Sequence, residues 1–304
     1  MKRDGLVSDS QTLWDQLDAL AKPCTTTYRA LRTEILSSGI IPGVDETTWR
    51  LMKKGESKRW YVWTLYGAWA VYHQIAPTRS ADQAKELLQG YEGCIMCDDY
   101  SAYRSLAKKT KGGIRLTHCW SHARRRFFDA RPAYPTECDV ALDWLDQLFL
   151  IERRVPDPDR LEGADRDSAL ALRHELRQRE SRPIVDSLFG WAKQQVSIPT
   201  SGLDNAIGYL LGIEEGLRVF LDEPRVPLSN NGTERVIRPI TVGRKNHYGS
   251  RSIRGTQVAA IFYSLLESAV LNGVDPRGYL TAVVLRDRQR PGCVLLPWEY
   301  EDTG

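Results

Sequence analysis

The sequence predicts an α/β protein in which a sheet is flanked by helices and interrupted by an all-helical block. Three observations predict this. Residues 40–76 are rich in Val, Ile, Tyr and Trp and broken only by short turns, the texture of consecutive strands. Two more short apolar runs, GCIMCDDY and GIRLTHCW, follow at wider spacing. After about residue 130 the apolar residues recur at helical intervals as far as Leu221.

Each element has a local reason. Leu13, Trp14, Leu17 and Leu20 recur at helical spacing behind Asp9 or Ser10 as N-cap, and a second amphipathic helix covers about 25–38. GIIPGVDETTW and RWYVWTLYGAWAVYHQIAPT read as three strands, antiparallel because the breaks between them are short, with Gly67 as punctuation. SADQAKELLQGY is a helix capped at Ser80, and GCIMCDDY a strand that stops at two aspartates. GIRLTHCW is a further strand leading into the basic SHARRRFF. Helical periods then take in Trp144, Leu145, Leu148 and Ile151, followed by 170–176, 184–196 and 203–221, with Pro156, Pro183 and Pro199 as breakers. The stretch 137–167 is acidic, which suits it poorly to lying on phosphates. PLSNNGTERVIRPI and a glycine-rich basic connection, RKNHYGSRSIRGT, precede an apolar helix, VAAIFYSLLESAVLNG, closed by Asn272-Gly273 as C-cap. Beyond residue 286 the chain reads as a loosely attached tail.

Composition narrows the function. A chain of 304 residues with 42% apolar content can bury a sizeable core. Its 42 Lys and Arg against 39 Asp and Glu leave a net charge of +3, so any nucleic-acid reading rests on where the charge sits. No apolar run approaches the roughly 18 to 20 residues that span a bilayer, and the start lacks an apolar signal core. These features predict a cytoplasmic protein with no membrane partner. Six cysteines are too few for a disulfide scaffold at this length, and thiols are expected.

The residues that carry chemistry are acids at element ends. Asp45 ends one strand-like run, and Asp98 and Asp99 end another. Each suits a turn taken alone. Together, carboxylates from neighbouring strands can converge on a divalent cation, which prefers hard oxygen ligands. Glu234 in NNGTER is the candidate third acid, although Asn231 as N-cap with Glu234 three residues on is also a capping box. Basic residues follow both candidate ligands. Between Tyr100 and Phe128 lie Arg104, Lys108, Lys109, Lys111, Arg115, Arg124, Arg125 and Arg126 with no acid among them. Between Glu234 and Gln257 lie Arg235, Arg238, Arg244, Lys245, Arg251 and Arg254. Carboxylates ringed by cations suit a polyanion drawn close to metal, with solvated surface charge as the plain alternative. Gly249, Gly255 and the loop between them offer backbone amides to phosphate. Cys94, Cys97, Cys119 and His122 imitate a zinc pattern, but Cys94 and Cys97 point to opposite faces of a strand and read better as core thiols. For His122 two readings stand side by side, a phosphate or metal neighbour and a structural role.

VDETTW, CDDYSAY, HCWSHARRRF, NNGTERVIRPITVGRKN and YSLLESAVLNGVDPRGYL, in this order, resemble the transposase of the insertion sequence 66 family, a DDE-type group. The match runs from about residue 3 to residue 285 in five separate motifs. The resemblance implies an RNase H-like core, a mixed sheet flanked by helices, with the first aspartate on the first strand, the second after the fourth strand and the glutamate on a later helix. Residue by residue these are Asp45, Asp98 and Glu234. It implies a helical segment at 1–38, a catalytic core formed by 39–130 and 226–285, a helical insertion at 131–225 and a tail at 286–304.

What the resemblance implies of activity is metal-dependent DNA strand cleavage and strand transfer during transposition. Asp45, Asp98 and Glu234 would hold Mg2+, or Mn2+ in the same oxygen cage. Arg124, Arg125, Arg126, Arg235, Arg238, Arg244 and Lys245 would meet DNA, with Asp99 and His122 as accessory candidates. The expected partners are transposon ends and target DNA, a second copy of the chain on DNA, and accessory proteins of the same element. Three departures bear on this. Asp99 stands where the family usually has glycine, Ser229 where it more often has aspartate, and His247 where it has an aromatic residue. Relatives also carry a long N-terminal part with a DNA-recognition region, so specific end recognition is not expected of these 304 residues alone. The rival readings are a truncated, non-catalytic DNA-binding regulator and a stand-alone RNase H-like nuclease.

Overall fold

A computed structural model of the chain describes residues 2–3, 6–7, 9–53 and 56–301. The other residues of the expected N-terminal segment, 1, 4, 5 and 8, and the last three of the expected tail lie outside the described residues. The chain forms two compact units. One comprises residues 1–39, 45–89 and 233–304, the other 40–44 and 90–232.

In chain order, β1 (Lys2–Arg3) and β2 (Leu6–Val7) pair antiparallel, and α1 (Ser10–Ala21) and α2 (Thr25–Ser37) follow. Asp9 caps α1 as expected, accepting the Thr12 N–H at 2.7 Å. The three expected strands are β3 (Gly43–Lys53), β4 (Glu56–Tyr66) and β5 (Val71–Ala76). β4 and β5 run antiparallel from Tyr61↔Ala76 to Tyr66↔Val71, closed by the Gly67 N–H on Ala70 O. Next come α3 (Ala81–Leu87), β6 (Gly93–Cys97), α4 (Ser101–Lys109), β7 (Ile114–His118) and α5 (Trp120–Ala130). The helical block holds α6 (Pro135–Glu152), α7 (Gly163–Leu176), α8 (Arg182–Gln194), α9 (Gly202–Gly212) and α10 (Glu214–Asp222). Then follow α11 (Asn231–His247), α12 (Ile253–Leu271) and α13 (Pro276–Gln289). The five-stranded sheet has the order β5-β4-β3-β6-β7, and it is mixed, since β3 pairs parallel with β6 and β6 with β7. The chain is thus an α/β protein with a mixed sheet and flanking helices.

The sheet would end at β5 with unpaired backbone groups, a hazard in any edge strand. α12 covers them. Ser268 and Ser264, four residues apart and so on one helix face, accept the N–H groups of Val71 and His73 at 2.9 and 2.8 Å. Ser268 also donates to Val71 O.

In the other unit one apolar core runs from Met96 on β6 through Trp120, Ala123 and Phe127 on α5 to α6, α8, α9 and α10. Trp120 is its centre: the indole N–H donates to Leu217 O at 3.1 Å, and Phe189 and Phe220 meet the ring edge to face.

Three expectations are corrected. The basic stretch after Asp99 contains an unforeseen helix, α4, whose buried Ala102, Tyr103 and Leu106 recur at helical spacing among its cations. RKNH is no loop, because α11 runs through it to His247 despite Pro239 inside the helix. The tail is not loose: Tyr279 donates to Leu295 O, the Leu295 N–H reaches Thr27 Oγ1, and Leu295 and Leu296 are buried. Short apolar contacts of this kind leave no periodic trace in a sequence. The thiol expectation holds, since all six cysteines are free.

Candidate active site

Asp45 is the third residue of β3 rather than the end of a strand, because the strand continues to Lys53, whereas Asp98 directly follows β6 as expected. Gly43 of β3 is in register with Met96 of β6. Asp45 stands two residues beyond Gly43 and Asp98 two beyond Met96.

In the unit of residues 40–44 and 90–232, Asp98 begins the turn into α4, its carboxylate accepting the Tyr100 N–H at 3.1 Å. Asp99 is 3.4 Å from the Arg104 guanidinium. Both line an open pocket of about 460 Å³, with His122, Arg125, Arg126 and Tyr209 among its other walls. The Arg126 guanidinium lies 3.9 Å from the centre of the Tyr209 ring. Arg124 takes a different course and pairs with Asp146 on α6 at 2.6 Å. Behind the strand ends His118 is buried, its Nδ1 3.4 Å from Cys97 O, and burial pushes its imidazole below the ordinary histidine range. The segment before α11 is anchored here too. The Asn230 N–H reaches Cys119 Sγ, its side-chain amide donates to Val44 O at 3.2 Å, and Leu228 O accepts the Trp120 N–H.

In the other unit, Asp45 is half-buried and accepts the Glu46 N–H at 2.7 Å. Glu46, the next residue on the strand, is buried and ion-paired with Arg79. Glu234 lies in the first turn of α11 at the edge of the buried face formed by Thr233, Val236, Ile237 and Ile240. Asn231 is the first residue of the helix. Arg235, Arg238 and Lys245 share one exposed stripe of α11, spaced three and seven residues apart. Arg244 instead reaches β3, donating to the Thr47 and Thr48 hydroxyls at 3.0 and 2.8 Å.

The amides of Gly249 and Gly255 are committed within the chain. The Gly249 N–H bonds His247 O and the Gly255 N–H bonds the Ser252 cap. Gly249 is glycine for another reason. Its φ is +130°, and a Cβ there would overlap the Arg50 carbonyl of β3. That close approach lets Ser250 bridge to Leu51 beside the strand.

Tyr209, Asn230 and Glu46 were not singled out by the sequence. Glu46 carried one signal, a second acid directly after Asp45 in VDETTW. Tyr209 and Asn230 carried none, because their roles depend on which helix faces meet.

Comparison with known proteins gives the lineage. Residues 1–258 match the family model described as "Transposase IS66 family". Among curated proteins of Sinorhizobium fredii (strain NBRC 101917 / NGR234), the chain is 26% identical to "Uncharacterized protein y4hP" over 99% of its own length and 58% of that protein's. It is 32% identical to "Uncharacterized protein y4qI", over 84% of the chain and 50% of the relative. The chain therefore spans about half the length of the curated relatives it matches. Among the described residues no helix is long and apolar enough to cross a membrane. With residues 1–258 accounted for by one family model, the chain belongs to the insertion sequence 66 family of transposases.

Proposed function

We propose that this chain is a DDE-type catalytic core, RNase H-like in fold, that cleaves DNA strands and joins them to a target with the help of divalent metal. The observation that carries the reading is the pair of acids two residues beyond in-register positions of parallel strands, in a member of a transposase family. In this reading Asp45, Asp98 and Glu234 are the ligands, and Glu46, ion-paired with Arg79, belongs to the fold. The donor set suits Mg2+, with Mn2+ as the alternative, because every ligand is a carboxylate oxygen and Asp98 is already aimed by a backbone amide. When bound, the metal supplies Lewis acidity toward the attacking and leaving oxygens of phosphoryl transfer.

The chain's own groups do the rest. Arg235, Arg238 and Lys245, exposed on one stripe of α11, would take up backbone phosphates in a salt-dependent way. Arg125 and Arg126 would hold the strand beside Asp98, while Arg124 and Arg244 would reach phosphate only by leaving Asp146 and β3. Asp99 and His122, walls of the same pocket, would act as accessory groups. The working partners would be transposon ends, target DNA, a second copy of the chain and accessory proteins of the element, in the cytoplasm. Asp98→Asn tests the reading on supercoiled plasmid with and without Mg2+. Wild type should nick only with metal, and the variant should bind DNA as before with nicking reduced by about a thousandfold or more. Binding with no metal-dependent nicks by the wild type would favour a non-catalytic regulator, and an active variant would remove Asp98 from the site.

A further inference from the structure

The pocket beside Asp98 has a wall made by the helical block, and that wall has a chemistry of its own. Arg126 on α5 lies over the ring of Tyr209 on α9, 3.9 Å from its centre. Arg126 is exposed and Tyr209 half-buried, so the pair forms a layered surface with the planar guanidinium outermost. A guanidinium already seated over a ring loses little freedom when a flat group lies on its outer face. The rest of the lining argues against phosphate as the occupant. Asp98, Asp99 and Asp129 face Arg125 and Arg126, so the pocket is not predominantly positive. Carboxylates accept from amino and imino groups, which bases carry and phosphates lack. Its volume of about 460 Å³ falls within the range of small-ligand sites and is far too small for a duplex.

We propose that Arg126, backed by Tyr209, is a stacking platform for one unpaired nucleobase, so that this pocket receives the terminal nucleotide of a single-stranded DNA end next to Asp98. The platform rests on the reading of Asp98 as part of the active site only for its purpose; its ligand is set by the pocket itself. Unpaired bases are commonly gripped by stacking on aromatic rings and guanidinium planes. Tyr209 is then a positioning residue: it touches no DNA and holds the plane that does.

The test uses the full chain in EDTA, so that no strand is cut. The probes are a DNA duplex with a short 3' single-stranded overhang ending in 2-aminopurine, and the same duplex blunt. Wild type should quench the terminal 2-aminopurine and bind the overhang DNA about tenfold more tightly than the blunt one. Arg126→Lys, which keeps the charge but not the plane, should lose the quench and bring that affinity ratio close to one. Arg126→Gln should do the same, Tyr209→Ala should lower the quench, and Tyr209→Phe should restore it. Equal affinity of wild type for both DNAs, or undiminished quenching by both Arg126 variants, overturns the proposal. Metal-dependent nicking is read separately: a chain that quenches but never nicks keeps the platform and loses the catalytic reading, while one that nicks without quenching does the reverse.

Discussion

Arg177 has no exposed surface, although RHELRQRE reads as the solvated face of a charged helix. Its guanidinium donates to both oxygens of Glu152, at 2.6 and 2.9 Å, and to the carbonyls of Phe220 and Val226 at 2.8 and 3.0 Å. A rigid fork of five donors thus neutralises a carboxylate and ties down the chain leaving α10. Arg177→Met would leave Glu152 with only Arg173, 3.4 Å away, and would take a donor from those carbonyls, so the unfolding free energy should fall by about 2 to 4 kcal/mol. Urea denaturation checks it, and Arg177→Lys should recover little, because an ammonium cannot span the fork; a loss within about 0.5 kcal/mol would place the residue among ordinary surface charges. The contrast with the acids is instructive. Asp45, Asp98 and Glu234 stood out because they adjoin apolar runs, and the last two precede basic stretches, a pattern that suits a cation site beside a polyanion. Arg177 and Tyr209 sit inside helices among residues of like kind, and only the meeting of distant segments gives them work.

At the scale of elements, the serines of α12 do what a sixth strand would otherwise do. Val71 and His73 have N–H groups at a buried edge, and each is satisfied by a hydroxyl one helical turn from the other. The double change Ser264→Ala, Ser268→Ala leaves both donors without partners and should cost about 2 to 6 kcal/mol at 1 to 3 per group. Amide hydrogen exchange localises the effect: protection at Val71 and His73 should drop while that at Val62 and Thr64, whose N–H groups point away from β5, stays closer to wild type. Equal protection in the double variant would mean that water or a strand shift replaces the serines. The strands themselves were legible, because β-branched and aromatic runs broken by short turns leave few alternatives. What the sequence concealed was the partner of the edge: YSLLES looks like an apolar helix with two indifferent serines, and nothing in its period says that a sheet lies beneath them. For the same reason α4 was overlooked, its small apolar face being outnumbered by lysine and arginine.

At the scale of the molecule, the change of texture after residue 130 marks a helical block correctly, but texture does not tell whether such a block stands apart. The apolar core of residues 90–232 answers that, because it is continuous from Met96 through α5 into α6, α8, α9 and α10. Trp120 follows directly on β7 and Cys119, yet its indole is bonded to Leu217 and packed between Phe189 and Phe220, all from the block. Phe127 is likewise buried and meets Trp191. The family resemblance implies that residues 131–225 are a helical insertion, and as such they supply half of the core they interrupt. Uncovering Trp120, Phe127 and Met96 forfeits about 2 kcal/mol for each side chain, and the small residues between them add to it, against a total stability of about 5 to 15 kcal/mol. A chain in which Ala130 is joined by a short glycine-serine linker to Val226 should therefore fail to fold rather than yield a smaller working core. The expected observation is a thermal scan without a cooperative near-ultraviolet transition. A shortened chain that melts cooperatively, with its tryptophans still buried by fluorescence, would show that the sheet and α5 carry their own core and that the block is an accessory laid on top.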